Sequence, residues 1–256
     1  MDMHMEVGAG SGAELAALAE QAFVFGYPLV LLGVAPTTPQ RFVPAAEPGL
    51  STAWLDVSRE PLVLSLPNTR GKPYALTMVS AWAEVFGEVN DAATGGRRSA
   101  FAVVGPNWKG KVPAGPIAMS APTEIVRIVA RTEEDVGSFW LMPLSAWGKE
   151  AKRAEPARST GAAVSAVEAV RAMNGLTFFS RLGQLLVGNP PPPGAEPMVA
   201  VLEAMGMKSG KPFRPDAPAR AALDEGVQRG WARVMDEPRA RTAVEIAEGR
   251  WIPPTR

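Results

Sequence analysis

Hydrophobic positions recur along this chain with two different periods, and the change of period divides it. From Ala13 to Val34 the residues Leu15, Leu18, Ala22, Phe25 and Leu29 recur at three- and four-residue spacing, which puts them on one helical face. Pro28 brings no backbone N–H and crowds the turn before it, so a bend is expected there and a stop by Pro36. Between Leu50 and Met142 the pattern changes to short β-branched and aromatic runs bounded by Gly, Pro, Asn and Asp. It predicts strands over Thr52–Val57, Leu62–Leu66, Ala75–Ser80, Glu84–Val89, Phe101–Val104, Ile117–Ser120, Glu124–Val129 and Phe139–Leu141. Turns are expected at Asn68–Lys72, Asn90–Gly96 and Gly105–Gly115. Short strands at roughly ten-residue spacing point to an antiparallel sandwich or barrel.

The helical period returns after the charged stretch Lys149–Gly161, which reads as a linker. Ala162–Val187 reads as one helix with Gly175 and Gly183 as weak points. It stops at Gly188-Asn-Pro-Pro-Pro-Pro-Gly194, where successive prolines impose polyproline geometry. Glu196–Met205 and Pro218–Met235 are further helices, the second with Leu223, Val227, Trp231 and Val234 on one face. The tail Arg250–Arg256 is expected to order only if Trp251 and Ile252 find a groove. The expected class is α+β, an antiparallel β-sandwich or barrel with an N-terminal helix and a C-terminal helical set. Residues 1–12 would be a flexible leader, 13–148 the helix and sheets, 149–161 the linker, and 162–256 helices packed on the sheet in one compact unit.

Composition narrows the chemistry. Lys plus Arg equal Asp plus Glu at 26 each, so no net field draws nucleic acid or an anionic membrane surface, and neither is expected as a partner. The absence of Cys excludes disulfides, thiolate metal sites and a cysteine nucleophile. The single histidine, His4, lies in the leader, so a Ser–His–Asp triad or a two-histidine metal site is not available within one subunit. No metal or other cofactor is expected. The apolar run Phe23–Ala35 is broken by Gly26, Pro28 and Gly33 and falls short of the ~20 residues that span a bilayer. The first residues lack the basic and apolar regions of a secretory signal, which makes cytoplasmic residence the default.

Four blocks carry a family resemblance. They are Ala22-Phe-Val-Phe-Gly-Tyr-Pro-Leu-Val30; the strand block Ser51 to Phe86 with Thr94-Gly95; Val104-Gly-Pro-Asn-Trp-Lys-Gly110; and the stretch Phe178 to Phe213, which closes on Met205-Gly-Met-Lys-Ser-Gly-Lys-Pro-Phe213. Together they resemble the domain of unknown function 1254 family over about residues 13 to 235. The resemblance implies a β-sandwich with packed helices, and it carries no settled activity. Members are often followed by a second all-β domain, numbered 1214, for which no chain remains here. This sequence departs from the family pattern at Glu47-Pro-Gly-Leu-Ser51 and at Ser80, where the family has other polar residues.

Candidate chemistry is acidic and aromatic. Gly105-Pro-Asn-Trp-Lys-Gly-Lys-Val112 approaches a phosphate loop, but Val112 stands where a Ser/Thr would hold magnesium and Pro113 where a helix would start, so a tight turn under Trp108 accounts for it better. Asp56, Glu84 and Asp91 are candidate acids or bases, because a carboxylate in an apolar mouth has a raised pKa. Arg97 and Arg98 are candidate clamps for an anionic group. Trp82, Tyr27 and Tyr74 would form the wall of a pocket. The bland alternatives are an Asx-turn at Asp56 or Asp91, solvated arginines and core aromatics. Two functions follow. One is an enzyme without redox cofactor that binds a small apolar or amphipathic molecule and performs cyclisation, isomerisation, lyase or hydrolase chemistry. The other is a non-catalytic ligand-binding or assembly module that forms a homo-oligomer through sheet edges.

Overall fold

The computed structural model describes residues 12–34, 41–132, 139–149 and 165–251. His4 and the predicted leader up to residue 11 lie outside them, as do residues 150–164, which hold nearly all of the predicted linker. The β segment forms two sheets. The first runs in the order β1 (Phe42–Pro44), β2 (Leu50–Asp56), β8 (Ile125–Thr132), β4 (Tyr74–Ser80) and β5 (Val85–Asn90). The second is β7 (Ile117–Ser120), β6 (Ser99–Val104), β3 (Leu62–Leu66) and β9 (Trp140–Pro143).

Strand alternation then builds two cores. Ala53, Leu55, Leu76, Met78, Val126 and Ile128 of the first sheet face Leu62, Leu64, Phe101, Val103 and Leu141 of the second. The other side of the first sheet, with Leu50, Trp54, Val79 and Val129, faces the helices. The protein is therefore mixed α+β, with an N-terminal helix, two sheets and C-terminal helices. Among the described residues no closed barrel is found, and one pairing corrects the antiparallel expectation: β6 and β7 run parallel, Phe101 opposite Ile117. The connection from Gly105 to Pro116 returns the chain to the same end of the sheet, which a two-residue hairpin cannot do.

Helix α1 spans Gly12–Val34 and runs through Pro28 as one element. Counted from Gly12, it is long and apolar enough to cross a membrane by length and composition, where the run from Phe23 alone falls short. Here every residue from Gly26 to Leu32 is buried inside the protein. After α2 (Asp91–Thr94) come α3 (Ala166–Arg171), α4 (Gly175–Leu185), α5 (Glu196–Ala204), α6 (Ala217–Arg233) and α7 (Pro238–Ala247). The single helix expected over 162–187 is divided. Asn174 caps α4 by accepting from Thr177 N–H at 2.9 Å, and Asp224 of α6 accepts from Gly175 N–H at 2.7 Å. Helix α7 went unpredicted, although Pro238 at its first position is a start signal. It leads to Trp251, which is buried; Ile252 and the rest of the predicted tail lie outside the described residues.

Candidate functional site

The C-terminal end of β8 and the facing ends of β4 and β5 line an open cavity of about 610 Å³. Its floor is Leu50, Ala75 and Tyr74, with Pro48 and Pro73 beside them, and its polar groups are Glu47, Glu88, Asn90, Asp91 and Arg131. Register explains the grouping. Arg131 stands between Leu50 of β2 and Ala75 of β4, and Ala75 stands opposite Asn90, so one cross-strand row supplies an arginine and an amide to the same face.

Local capping fixes the acidic side. Asn90 accepts from Ala93 N–H at 2.8 Å to start α2, and its amide donates to Glu88 Oε1 at 2.9 Å. Gly95 and Gly96 take the left-handed conformation that ends the turn, and Gly96 accepts from Thr69 N–H at 3.0 Å. Asp91 accepts from Tyr74 N–H at 3.4 Å, and the Tyr74 hydroxyl lies 2.5 Å from Thr94 Oγ1. Burial pushes the Tyr74 phenol up from its ordinary value; the Thr94 bond opposes this and the Asp91 charge adds to it. The phenol thus stays protonated and serves as a positioned hydroxyl. The Arg131 side chain makes no ion pair or hydrogen bond with any described residue, and the residue is exposed at the cavity. The arrangement offers one free cation, three carboxylates and an apolar floor.

Two of the residues expected from sequence, Tyr74 and Asp91, meet here; the others stand elsewhere. Asp56 is exposed and accepts from Ser58 N–H at 2.9 Å, a local Asx-turn. Arg97 and Arg98 are exposed on the loop leading into β6 and do not line the cavity. Glu84 pairs with Arg239 of α7 at 2.7 Å. Trp82 is fully buried, stacks on Phe25 with ring centres 4.9 Å apart, and donates from Nε1 to the Pro190 carbonyl at 2.8 Å. Tyr27 is buried among Phe23 and Trp231 in the helical core. These aromatics are walls of the protein's interior and not of the cavity. Gly110 lies under the Trp108 ring, in the tight turn anticipated for the loop that imitates a phosphate site.

Residues 36–140 match the family described as protein of unknown function (DUF1254). Over that span the chain is similar to DUF1254. Every residue of the cavity falls within it. No curated protein matches. Among solved structures, the VPA0106 protein from Vibrio parahaemolyticus superposes on this chain with a TM-score of 0.65 at 17% identity, over 94% of this chain and 68% of that one. At that identity the likeness shows the fold alone.

Two arginines of the matched span, both on β8, are not legible as site residues in the sequence. Arg131 was hidden because its strand was drawn only as far as Val129, and a charged residue past a strand end looks like surface. Arg127, on the same face, is buried with its guanidinium 4.1 Å over the Trp54 ring and its Nε without a hydrogen-bond partner. Burial lowers its pKa to about 10, which leaves it charged at neutral pH. The sequence signal was the cross-strand pairing of Arg127 with Trp54, which appears only once register is known.

Proposed function

We propose that this chain binds a small amphipathic molecule in the cavity at the end of the first sheet. The ligand carries an anionic group for Arg131 and a hydrogen-bond donor for Asp91 and Glu47. The observation that carries the reading is the unpaired Arg131 guanidinium facing a cavity of about 610 Å³ with an apolar floor. Any turnover of the bound molecule, of the isomerase, cyclase, lyase or hydrolase type, falls to Asp91 as the proton acceptor beside the Tyr74 hydroxyl. Asp56, Glu84, Arg97 and Arg98 have no part in it.

The test is native mass spectrometry of the protein purified from its own host. A retained small molecule is expected on the unaltered chain. It should be lost from Arg131→Gln, whose charge-assisted bonds correspond to roughly ten- to hundredfold in affinity, and from Asp91→Asn. Both residues are at the surface or half-buried, so thermal midpoints should move little. No retained mass, or equal retention by both variants, removes the cavity from consideration.

A second reading, self-association of two copies, rests on the sheet edges. Ile117 of edge strand β7 is 60% exposed and Val85 of edge strand β5 is 42% exposed. The two edges adjoin where the Met119 thioether lies against Gly87. Sedimentation of the chain and of Ile117→Lys distinguishes the readings: a dimer that the substitution dissociates supports association, and a monomer in both cases sinks it.

A further inference from the structure

A second cavity, about 340 Å³, lies across the molecule among α1, the proline run and the start of α7. Val24, Phe25, Pro28, Pro193, Ala195 and Met198 give it an apolar lining, and Gln21, Arg233, Glu237 and Arg239 give it polar groups. Charge decides what it suits. Arg233 is answered by Glu20 at 2.6 Å and Arg239 by Glu84 at 2.7 Å, and both carboxylates stand outside the lining. Glu237 heads α7 but its side chain does not cap the helix, and among the described residues it has no ion pair or hydrogen bond. One negative charge is therefore left over.

The remaining polar groups of the lining also offer acceptors. Pro28 has no N–H to give the Val24 carbonyl, so that oxygen lacks its helical donor at the cavity wall. Gln21 uses one of its two amide N–H groups on the Ala17 carbonyl at 3.4 Å, which leaves its oxygen available to accept and one N–H to donate. Phe25, held against Trp82 with ring centres 4.9 Å apart, contributes an aromatic surface to which a cation is drawn.

We propose that this cavity is a ligand site separate from the first, for a primary amine with an apolar or aromatic body. The ammonium meets Glu237, the Val24 carbonyl and Gln21, and the body packs on Phe25, Pro28 and Met198. The site stands whether or not the cavity around Arg131 is occupied.

Isothermal titration with phenethylamine tests it, with 3-phenylpropionate as the probe of reversed charge. The amine should bind and the acid should not. Glu237→Gln should weaken the amine about tenfold or more, since it removes the charge from an otherwise unbonded side chain. Met198→Trp should fill the cavity and block binding, while Arg131→Gln should leave it unchanged. Thermal unfolding of each variant reports whether the fold is intact. No binding of the amine at millimolar concentration, equal binding of the acid, or an unchanged affinity in Glu237→Gln overturns the proposal.

Discussion

The hydroxyl of Tyr27 is buried with no hydrogen-bond partner, and burial raises its pKa to about 12; Arg171 opposes the shift and Glu248 adds to it. The unfolded chain releases this proton near pH 10, before the folded one does. The residue's share of stability is thus complete below pH 10 and is lost as pH rises through about 12, a difference of roughly 2–3 kcal/mol. Tyr27→Phe should keep that share when urea unfolding at pH 8 is compared with pH 11.5. At pH 8 it should be neutral or more stable by about 1 kcal/mol, because an unbonded buried hydroxyl is removed. A loss above about 1 kcal/mol at pH 8 would mean that the hydroxyl has a partner after all. The same scale shows why some candidates were misread. Asp56 and Ser80 both serve their own turns: the Ser80 hydroxyl accepts from Trp82 N–H at 3.2 Å and Glu84 N–H at 3.3 Å, so the departure from the family pattern at Ser80 is filled by a turn-building hydroxyl. A polar residue at a strand end has the same appearance in sequence whether it caps a turn or lines a site.

Among the elements, α1 and α6 meet through small residues. A Cβ on Gly226 would stand 2.5 Å from Ala19 Cβ and 2.6 Å from the Ala16 carbonyl oxygen, so the two backbones touch there. Gly226→Ala should force the helices apart and cost about 1–3 kcal/mol, against a helix-propensity gain of about 1 kcal/mol. Gly183→Ala in α4 meets only the Met207 methyl at 3.8 Å and should stabilise by about 0.5–1 kcal/mol. Opposite signs are expected from the two in urea unfolding, and like signs would refute the close approach. The strands were legible because short apolar runs such as Leu62-Val-Leu-Ser-Leu66, buried on both faces, are bounded by turn residues. Strand β1 was not, since Phe42-Val-Pro44 is short and proline-bounded and exists by pairing with β2. The parallel partnership of β6 and β7 is likewise a property of the connection and leaves no mark on the residues of either strand.

Across the whole molecule, the α+β architecture could be read from the change of period, while the candidate site could be read only in part. Tyr74 and Asp91 were named because they are rare or acidic residues at strand ends. Their partner Arg131 comes from a strand some forty residues further on, and only the sheet order brings it beside them. The helix α1 has a consequence for biosynthesis. It is the first described element to leave the ribosome, and its closest partners, α6 and α7, are nearly the last. At about 5–20 residues per second, some 200 intervening residues leave it waiting roughly ten to forty seconds. For that interval the helix can rest only on the helix-facing side of the first sheet and on the helices made before α6, and the side of it that α6 and α7 cover stays open to water.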